Sequence, residues 1–241
     1  MLVAIFSDIH GNLEALETVL AHADGRKPDA SVCLGDFVGY GAAPNECIDV
    51  LRPRIEAAVA GNHDLAACGR IKLGYFNPDA AHAARWTTET LTEEHLEYLR
   101  SLPYSIAWRG LRLVHSSPAE PEEWHYVFSP GDAAFEMEAC VEDVCFIGHS
   151  HYPGTFELAG SQVRYTRDEV VNGARGRRYL VNVPSVGQPR DGDPRAGYLL
   201  LDTEALRFEH VRLQYDISAA MKRIRDAGLP PFLAERLQWG E

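Results

Sequence analysis

The sequence predicts an α/β fold in which a largely parallel sheet is backed by a second sheet richer in antiparallel strands, with helices outside. Three observations predict it. The first half alternates short apolar runs with helical periodicity, at the spacing of right-handed crossovers. Those apolar runs repeatedly end in a glycine beside polar side chains. From Thr155 onward the texture changes to short strand-like runs separated by turns.

Leu2-Val3-Ala4-Ile5-Phe6 reads as a buried strand, closed by the tight turn Ser7-Asp8-Ile9-His10-Gly11-Asn12. Asn12 is a good N-cap for a helix reaching about Ala23, with Leu13, Leu16, Val19, Leu20 and Ala23 on one face. Asp24 to Asp29 forms the following loop, and Ser31 to Leu34 a second strand that ends in Gly35-Asp36-Phe37-Val38-Gly39-Tyr40-Gly41. Pro44 to Leu51 is a short helix, and Ile55 to Ala60 a third strand ending in Gly61-Asn62-His63-Asp64. Asn77-Pro78 caps a helical region from Asp79 to about Leu102, with a break near Leu91-Thr92. Ser105 to Trp108 and Leu111 to His115 flank Arg109-Gly110 as a hairpin that delivers His115 at its end. A Pro- and Glu-rich loop precedes a helix from Asp132 to Ala139, then the strand Val144 to Ile147 and the run Gly148-His149-Ser150-His151. Strands are expected at Thr155 to Leu158, Gln162 to Thr166, Tyr179 to Val183, Tyr198 to Asp202 and Phe208 to Leu213. Helices at Ile217 to Ala227 and within Pro231 to Leu237 close the chain.

At 241 residues, 46% hydrophobic and 24% charged, the composition is that of one large globular unit, and a single domain over 1–241 is expected. No segment approaches the ~18 consecutive apolar residues of a membrane span. The first apolar run lacks a basic region ahead of it and ends in Asp-Ile-His, which suits a strand rather than a signal peptide; the cytoplasm is the expected location. A net charge of -12 argues against long nucleic acid as a partner, whereas a compact anion remains compatible if bound cations supply local positive charge. The five cysteines (Cys33, Cys47, Cys68, Cys140, Cys145) form no Cys-x-x-Cys pair and read as free buried thiols.

A lone histidine at a strand end is more often structural than a ligand. Here the placement is joint: in extended chain, Asp8 and His10 share a face, as do His149 and His151. With Asp36, Asn62 and His115, all following expected strands, they form a carboxylate, amide and imidazole set suited to Mn, Fe or Zn.

The ordered set Asp8-Ile9-His10, Gly35-Asp36, Gly61-Asn62-His63-Asp64, His115 and Gly148-His149-Ser150-His151 resembles the calcineurin-like metallophosphoesterase superfamily, in particular its small single-domain bacterial and archaeal members. The resemblance implies a four-layer α/β/β/α sandwich of two mixed sheets with the metal site at the strand C-terminal edge. It implies two divalent transition-metal ions, manganese favoured, with iron, zinc, nickel or cobalt as alternatives. Asp8, His10 and His151 would hold one, Asn62, His115 and His149 the other, and Asp36 would bridge them. The implied activity is hydrolysis of small phosphomonoesters or phosphodiesters by a metal-bridging hydroxide, whose pKa two cations ~3.5 to 4 Å apart bring toward ~7. A dinucleoside polyphosphate or cyclic nucleotide hydrolase is the alternative within the class, and a non-catalytic scaffold binding a partner protein the alternative outside it.

Beside Asn62, an implied ligand, His63 is expected to donate a proton to the leaving oxygen or to stabilise the transition-state charge. Asp64 either orients the His63 ring or serves as a helix N-terminal carboxylate. The second block departs from the protein-phosphatase pattern Gly-Asp-x-Val-Asp-Arg-Gly, so that branch's phosphate-binding arginine is missing from its place. Ser116 and Val183 also depart from the superfamily's usual glycine and proline, without touching a ligand. Candidate substrate contacts are Asn12, Tyr40, Arg175 and Arg178, the last two within an arginine-rich window (Arg164, Arg167, Arg175, Arg177, Arg178) that is otherwise a solvated hairpin. Ser185 to Arg190 is a further candidate for the pocket rim.

Overall fold

Alternation along the first strand generates the layering. Val3 and Ile5 enter a core shared with strands of a second sheet, whereas Ala4 and Phe6 face helices on the other side. The computed structural model describes residues 1–74 and 76–241. Its strands are β1 (Leu2–Phe6), β2 (Ala30–Cys33), β3 (Ala57–Ala58), β4 (Ser105–Trp108), β5 (Leu111–Val114), β6 (Val144–Ile147), β7 (Gly154–Ala159), β8 (Gln162–Thr166), β9 (Val170–Asn172), β10 (Arg178–Asn182), β11 (Ala196–Asp202) and β12 (Arg207–Leu213). Its α-helices are α1 (Leu13–Arg26), α2 (Pro44–Leu51), α3 (Asn62–Ala67), α4 (Pro78–Thr90), α5 (Glu93–Ser101), α6 (Pro130–Glu138), α7 (Ile217–Asp226) and α8 (Pro231–Glu235).

The strands form two six-stranded mixed sheets, β3-β2-β1-β11-β12-β9 and β4-β5-β6-β10-β7-β8. β1, β2 and β3 are parallel, as are β5, β6 and β10, and the remaining pairings are antiparallel. Between the sheets, Val3, Ile5 and Leu199 of the first meet Leu113, Phe146 and Val181 of the second. Outside the first sheet, Phe6 and Tyr198 pack under Leu16 and Val19 of α1. Outside the second, Cys145, Ile147 and Leu180 pack under Ala133 and Met137 of α6. The order is therefore helix, sheet, sheet, helix, as expected, with the shared parallel direction sending several loops to one edge.

Local differences from the sequence reading have physical causes. α1 continues past Ala23 to Arg26 because Lys27 adopts the left-handed conformation (φ 53°) and returns its N–H to the carbonyls of Ala23 and Asp24. The expected third strand shrinks to Ala57–Ala58, the two residues that pair with Val32 and Cys33 of β2. β9 was not anticipated; three residues are too few to show periodicity, and it exists by pairing with β12. The break between α4 and α5 lies where expected, with Thr92 capping α5 through the N–H of His95 (3.3 Å).

The C-terminal helices turn back onto the ligand edge, where Met221, Ile224, Leu233 and Leu237 pack with Ala80, Ala83 and Tyr40. All five cysteines are buried free thiols. Among the described residues, no helix is long and apolar enough to cross a membrane.

Candidate metal centre

Ser7, Gly35, His115 and Gly148 each follow directly on or one residue after a parallel strand, which places their loops side by side. The loops are not extended, however. Asp8, His10, Asp36, His149 and His151 have φ of 54°, 50°, 53°, 63° and 58°, so the expectation of a shared strand face is corrected: both Asp8/His10 and His149/His151 converge because left-handed residues turn their side chains inward. Such residues cost of order 1 kcal/mol or more each, strain that surrounding contacts must hold and that concentrates at functional sites. Here the holding contacts are main-chain bonds between loops, Asp8 N–H to Gly35 O (3.1 Å), His10 N–H to Asp36 O (2.9 Å) and Gly148 N–H to His115 O (2.8 Å). Glycine is required where the loops cross, because a Cβ on Gly61 would overlap the Asp36 carboxylate and one on Gly148 would overlap Ser7 and Asp8.

Two groups of ligand atoms lie within 4.8 Å of one another, Asp8/His10/His151 and Asp36/His115/His149. Main-chain carbonyls, which only accept, set the histidine tautomers. Nδ1 of His10 donates to Val38 O (3.2 Å), Nδ1 of His115 to Leu34 O (2.8 Å), and Nδ1 of His151 to Gln188 O. His149 is reversed, its Nε2 donating to Trp124 O (3.0 Å), which leaves Nδ1 for the centre. In the neutral rings, the bare Nε2 atoms of His10 and His151 therefore face each other at 3.1 Å, with Asp8 Oδ1 3.2 Å from the latter. Three lone pairs converge with no proton to share, which a cation resolves. Asp36 Oδ2 sits between the two groups, 3.6 Å from His10 Nε2 and 3.2 Å from His115 Nε2, while its Oδ1 accepts from His63 N–H (2.9 Å). Asn62 Oδ1 and His115 Nε2 are buried without a hydrogen-bond partner among the described residues.

Electrostatics reinforce this geometry. Burial holds His10 well below the ordinary imidazole range and pushes His149 down to about 3; burial followed by the charge of Arg190 lowers His151. These rings are already without the protons that a metal would displace. Burial, the largest single influence, opposes charge on Asp8 and Asp36 as well, but the surrounding histidines together, His151 foremost at Asp8 and His115 at Asp36, hold both carboxylates below their usual range. Against burial, Asp36 and Asp8 hold His115 up at about 9. The donor types suit divalent cations, which would displace the proton of His115 alone among the ligand rings, and the seven residues expected as ligands come together.

A cavity of about 560 Å³ opens on this cluster, with Asp36, Asn62, His63, His149 and His151 in its floor. Asp8, His10 and His115 lie behind that floor. His63 is placed as a group facing the cavity, its ring edge-on to His10 at 4.9 Å and burial pushing it down to about 4. His10, Asp36 and His63 form a third grouping within 4.8 Å, so the His63 ring reaches whatever the two main groups hold. Tyr40 lines the wall, packed on His63 (ring centroids 4.3 Å).

Other expected site residues are placed elsewhere. Asp64 does not orient the His63 ring; its carboxylate accepts the N–H groups of Asp36 (2.8 Å), Gly61 (3.0 Å) and Val38 (3.3 Å), tying the second ligand loop to the start of α3. Burial and the neighbouring Asp36 push it up to about 8. Asn12 is likewise corrected from substrate contact to scaffold: Oδ1 accepts from Ala15 N–H (3.2 Å) and Nδ2 donates to Gly187 O (2.9 Å) and the Tyr215 hydroxyl (3.2 Å). Arg175 is exposed and Arg178 donates to Cys140 O, at the end of β10 opposite the ligand loops; neither lines the cavity. The cavity arginine is Arg190, from the anticipated rim segment. Trp124, Tyr126 and Phe76 also line it and were missed. The run Trp124-His125-Tyr126-Val127-Phe128, aromatic in an otherwise Pro- and Glu-rich loop, was the available signal.

A family model described as the calcineurin-like phosphoesterase superfamily domain matches residues 1–206. An uncharacterized protein of Methanocaldococcus jannaschii is 39% identical over 244 residues, covering 99% of this chain and 98% of that one. The crystal structure of a metallophosphoesterase from Sphaerobacter thermophilus is 40% identical with a TM-score of 0.88, covering 100% of this chain and 99% of that one. A hypothetical protein from Pyrococcus horikoshii OT3 shares the fold at 21% identity and a TM-score of 0.82, with 100% and 98% covered. The match to residues 1–206 contains every residue of both ligand groups, leaving only β12 and the helices behind Tyr40 outside it. With that match and these relatives, the sandwich and its buried Asp/His edge place the chain in the calcineurin-like phosphoesterase superfamily.

Proposed function

We propose that the protein is a dinuclear metal-dependent phosphoesterase acting on small phosphorylated substrates, monoesters or diesters. The observation that carries this reading is the convergence of unprotonated His10 and His151 Nε2 and Asp8 Oδ1, beside a second group joined to it through Asp36. When bound, a pair of divalent ions, manganese favoured, supplies positive charge for the phosphoryl oxygens and acidifies a water to act as nucleophile. Asp8, His10 and His151 would hold one ion, Asn62, His115 and His149 the other, and Asp36 both. His63 faces the cavity, and since burial keeps its ring unprotonated it would give a proton to the leaving oxygen only after taking one up beside the bound anionic substrate. Backbone carbonyls at Val38, Leu34, Gln188 and Trp124 keep the ligand rings in one orientation, so little reorganisation accompanies binding. The aromatic walls Tyr40, Trp124 and Tyr126 favour nucleotide substrates among the alternatives, since a base has a face to stack.

Elemental analysis together with turnover of p-nitrophenyl phosphate and bis(p-nitrophenyl) phosphate tests the reading. EDTA should remove activity and Mn restore it; full turnover in metal-free protein rejects the metal mechanism. Protein that carries metal yet hydrolyses neither ester would favour the scaffold reading.

A further inference from the structure

Arg190 stands out in a chain of net charge -12 as a guanidinium that lines the cavity without an acidic partner. Its Nε and Nη2 donate to Gln188 Oε1 (3.1 and 2.8 Å) and Nη2 also to the Tyr40 hydroxyl (3.2 Å); among the described residues none of its hydrogen bonds goes to a carboxylate. Neighbouring arginines differ, Arg167 and Arg212 both pairing with Asp191 at 2.6 Å and Arg195 with Asp193 at 2.6 Å. Gln188 is itself buried, and the guanidinium lies 5.6 Å from the Tyr40 ring centroid, so the group is held in place rather than free. Arg236, 5.9 Å from the same ring, has Glu241 as an acidic neighbour and donates its Nε to that residue's main chain. Holding the Arg190 guanidinium partly out of water without an acidic partner is unfavourable, which an anionic ligand relieves.

Its position says which part of a substrate it meets. Arg190 bonds the Tyr40 hydroxyl, the Tyr40 ring packs on His63 (centroid distance 4.3 Å) and His10 (4.7 Å), and the guanidinium charge is felt at both His63 and His151, so it borders the ligand groups on the side of those two rings. Glu122 and Glu123 line the cavity next to Trp124, whose carbonyl receives His149, and make the other side acidic. An anionic extension is therefore directed away from Trp124 and toward the cavity cations, of which Arg190 is held in place by side-chain hydrogen bonds and Lys72 is the other.

Resting on the phosphoesterase reading above, we propose that Arg190, presented by Gln188 and Tyr40, is a second anion subsite, and that the preferred substrate carries a further phosphate or carboxylate on the leaving-group side of the scissile ester. A charge-assisted hydrogen bond of this kind is worth roughly 10-fold to 100-fold in affinity. Four probes separate the sources of charge: glycerol 3-phosphate against 3-phosphoglycerate for the carboxylate, and fructose 6-phosphate against fructose 1,6-bisphosphate for the phosphate. In the Mn-loaded protein, at least one doubly anionic probe should show KM about 10-fold or more below its partner. Arg190→Gln should abolish that advantage through KM, Arg190→Lys should keep part of it, and the exposed Arg225→Gln, an equal change of net charge, should keep all of it. Equal loss of kcat on all four probes, or an advantage that survives Arg190→Gln in protein of parental melting temperature, overturns the proposal. Calorimetric binding of the same probes to the as-isolated protein is independent of turnover. If nothing is hydrolysed but 3-phosphoglycerate or fructose 1,6-bisphosphate still binds in an Arg190-dependent way, the hydrolase reading fails and the subsite stands; absence of such binding removes the subsite whatever the turnover.

Discussion

The ligand loops and the arginine window at 164–178 are both dense in chargeable side chains, and the window's Arg177 and Arg178 lie at the opposite end of the second sheet from the ligand loops. β10 is parallel to β6, pairing Tyr179 with Val144 and Asn182 with Ile147, so Arg178 lies at the start of the strands whose other end delivers His149. At roughly 3.3 Å per residue, a five-residue strand separates the two by about 15 Å. At the ligand end, polar atoms are buried and aimed at one another without partners, as at His115 Nε2 and Asn62 Oδ1. At the arginine end, side chains are already satisfied, exposed Arg177 by Glu157 and half-buried Arg178 by Cys140 O, and Arg167, at the other end of β8, is paired with Asp191. Density of charge is thus a poor guide to a site. Burial without partners is a better one, because leaving a desolvated polar group unpaired costs about 1 to 3 kcal/mol unless a ligand satisfies it.

The sharpest way to break the contrast is Asp36→Asn, which removes the carboxylate common to both groups; turnover should fall roughly 10³-fold, with metal content falling in elemental analysis. Near-parental turnover would mean that the two groups do not act together. His63→Gln should lower kcat by about 10²-fold to 10⁴-fold while metal content is retained. Loss of metal in that variant would instead make the third grouping, His10/Asp36/His63, a true ligand set. His210 provides a buried polar group outside the site for comparison. On β12 it meets Thr155 of β7 across the two sheets (3.1 Å), and burial pushes it down to about 4. Its folded pKa lies below the unfolded value of 6.5, so its contribution to stability is complete above pH ~6.5, falls as pH drops, and is fully lost below ~4, about 3 kcal/mol in all. Urea denaturation of metal-free protein at pH 7 and 4.5 should show a smaller acid loss in His210→Gln than in the parent; equal losses would place the sensitivity in the ligand histidines alone. Smallest of all should be Arg175→Gln, with kcat/KM within about 2-fold and stability within ~0.5 kcal/mol of the parent. A ten-fold fall in kcat/KM there would bring the arginine window back to the site.

Much of the fold was legible because its signals are local. Val3 and Ile5 alternate with Ala4 and Phe6 in the sequence as they do across the sheet, Asn12 and Asn77 cap helices where their side chains alone suggested, and the break at Leu91-Thr92 lies where expected. β9 was illegible because three residues carry no period and pairing with β12 alone defines it. At the site, the ligand residue types and their order along the chain were legible, but the reason they converge was not. Left-handed φ at Asp8, His10, Asp36, His149 and His151 is imposed by main-chain bonds between loops, and a strand-face rule does not anticipate it.

Short-range spacing was enough for the elements and the layered α/β class, and strand-end placement for naming the seven residues proposed as ligands, since both are written within a few residues. Only the folded chain assigned Asp64 and Asn12 to holding loops, moved the cavity's positive charge from Arg175 and Arg178 to Arg190, and brought Trp124 and Tyr126 to its wall. These depend on which distant loops meet at the edge of the sandwich and on which polar groups find partners there. Both are properties of long-range packing, to which no local window of sequence has access.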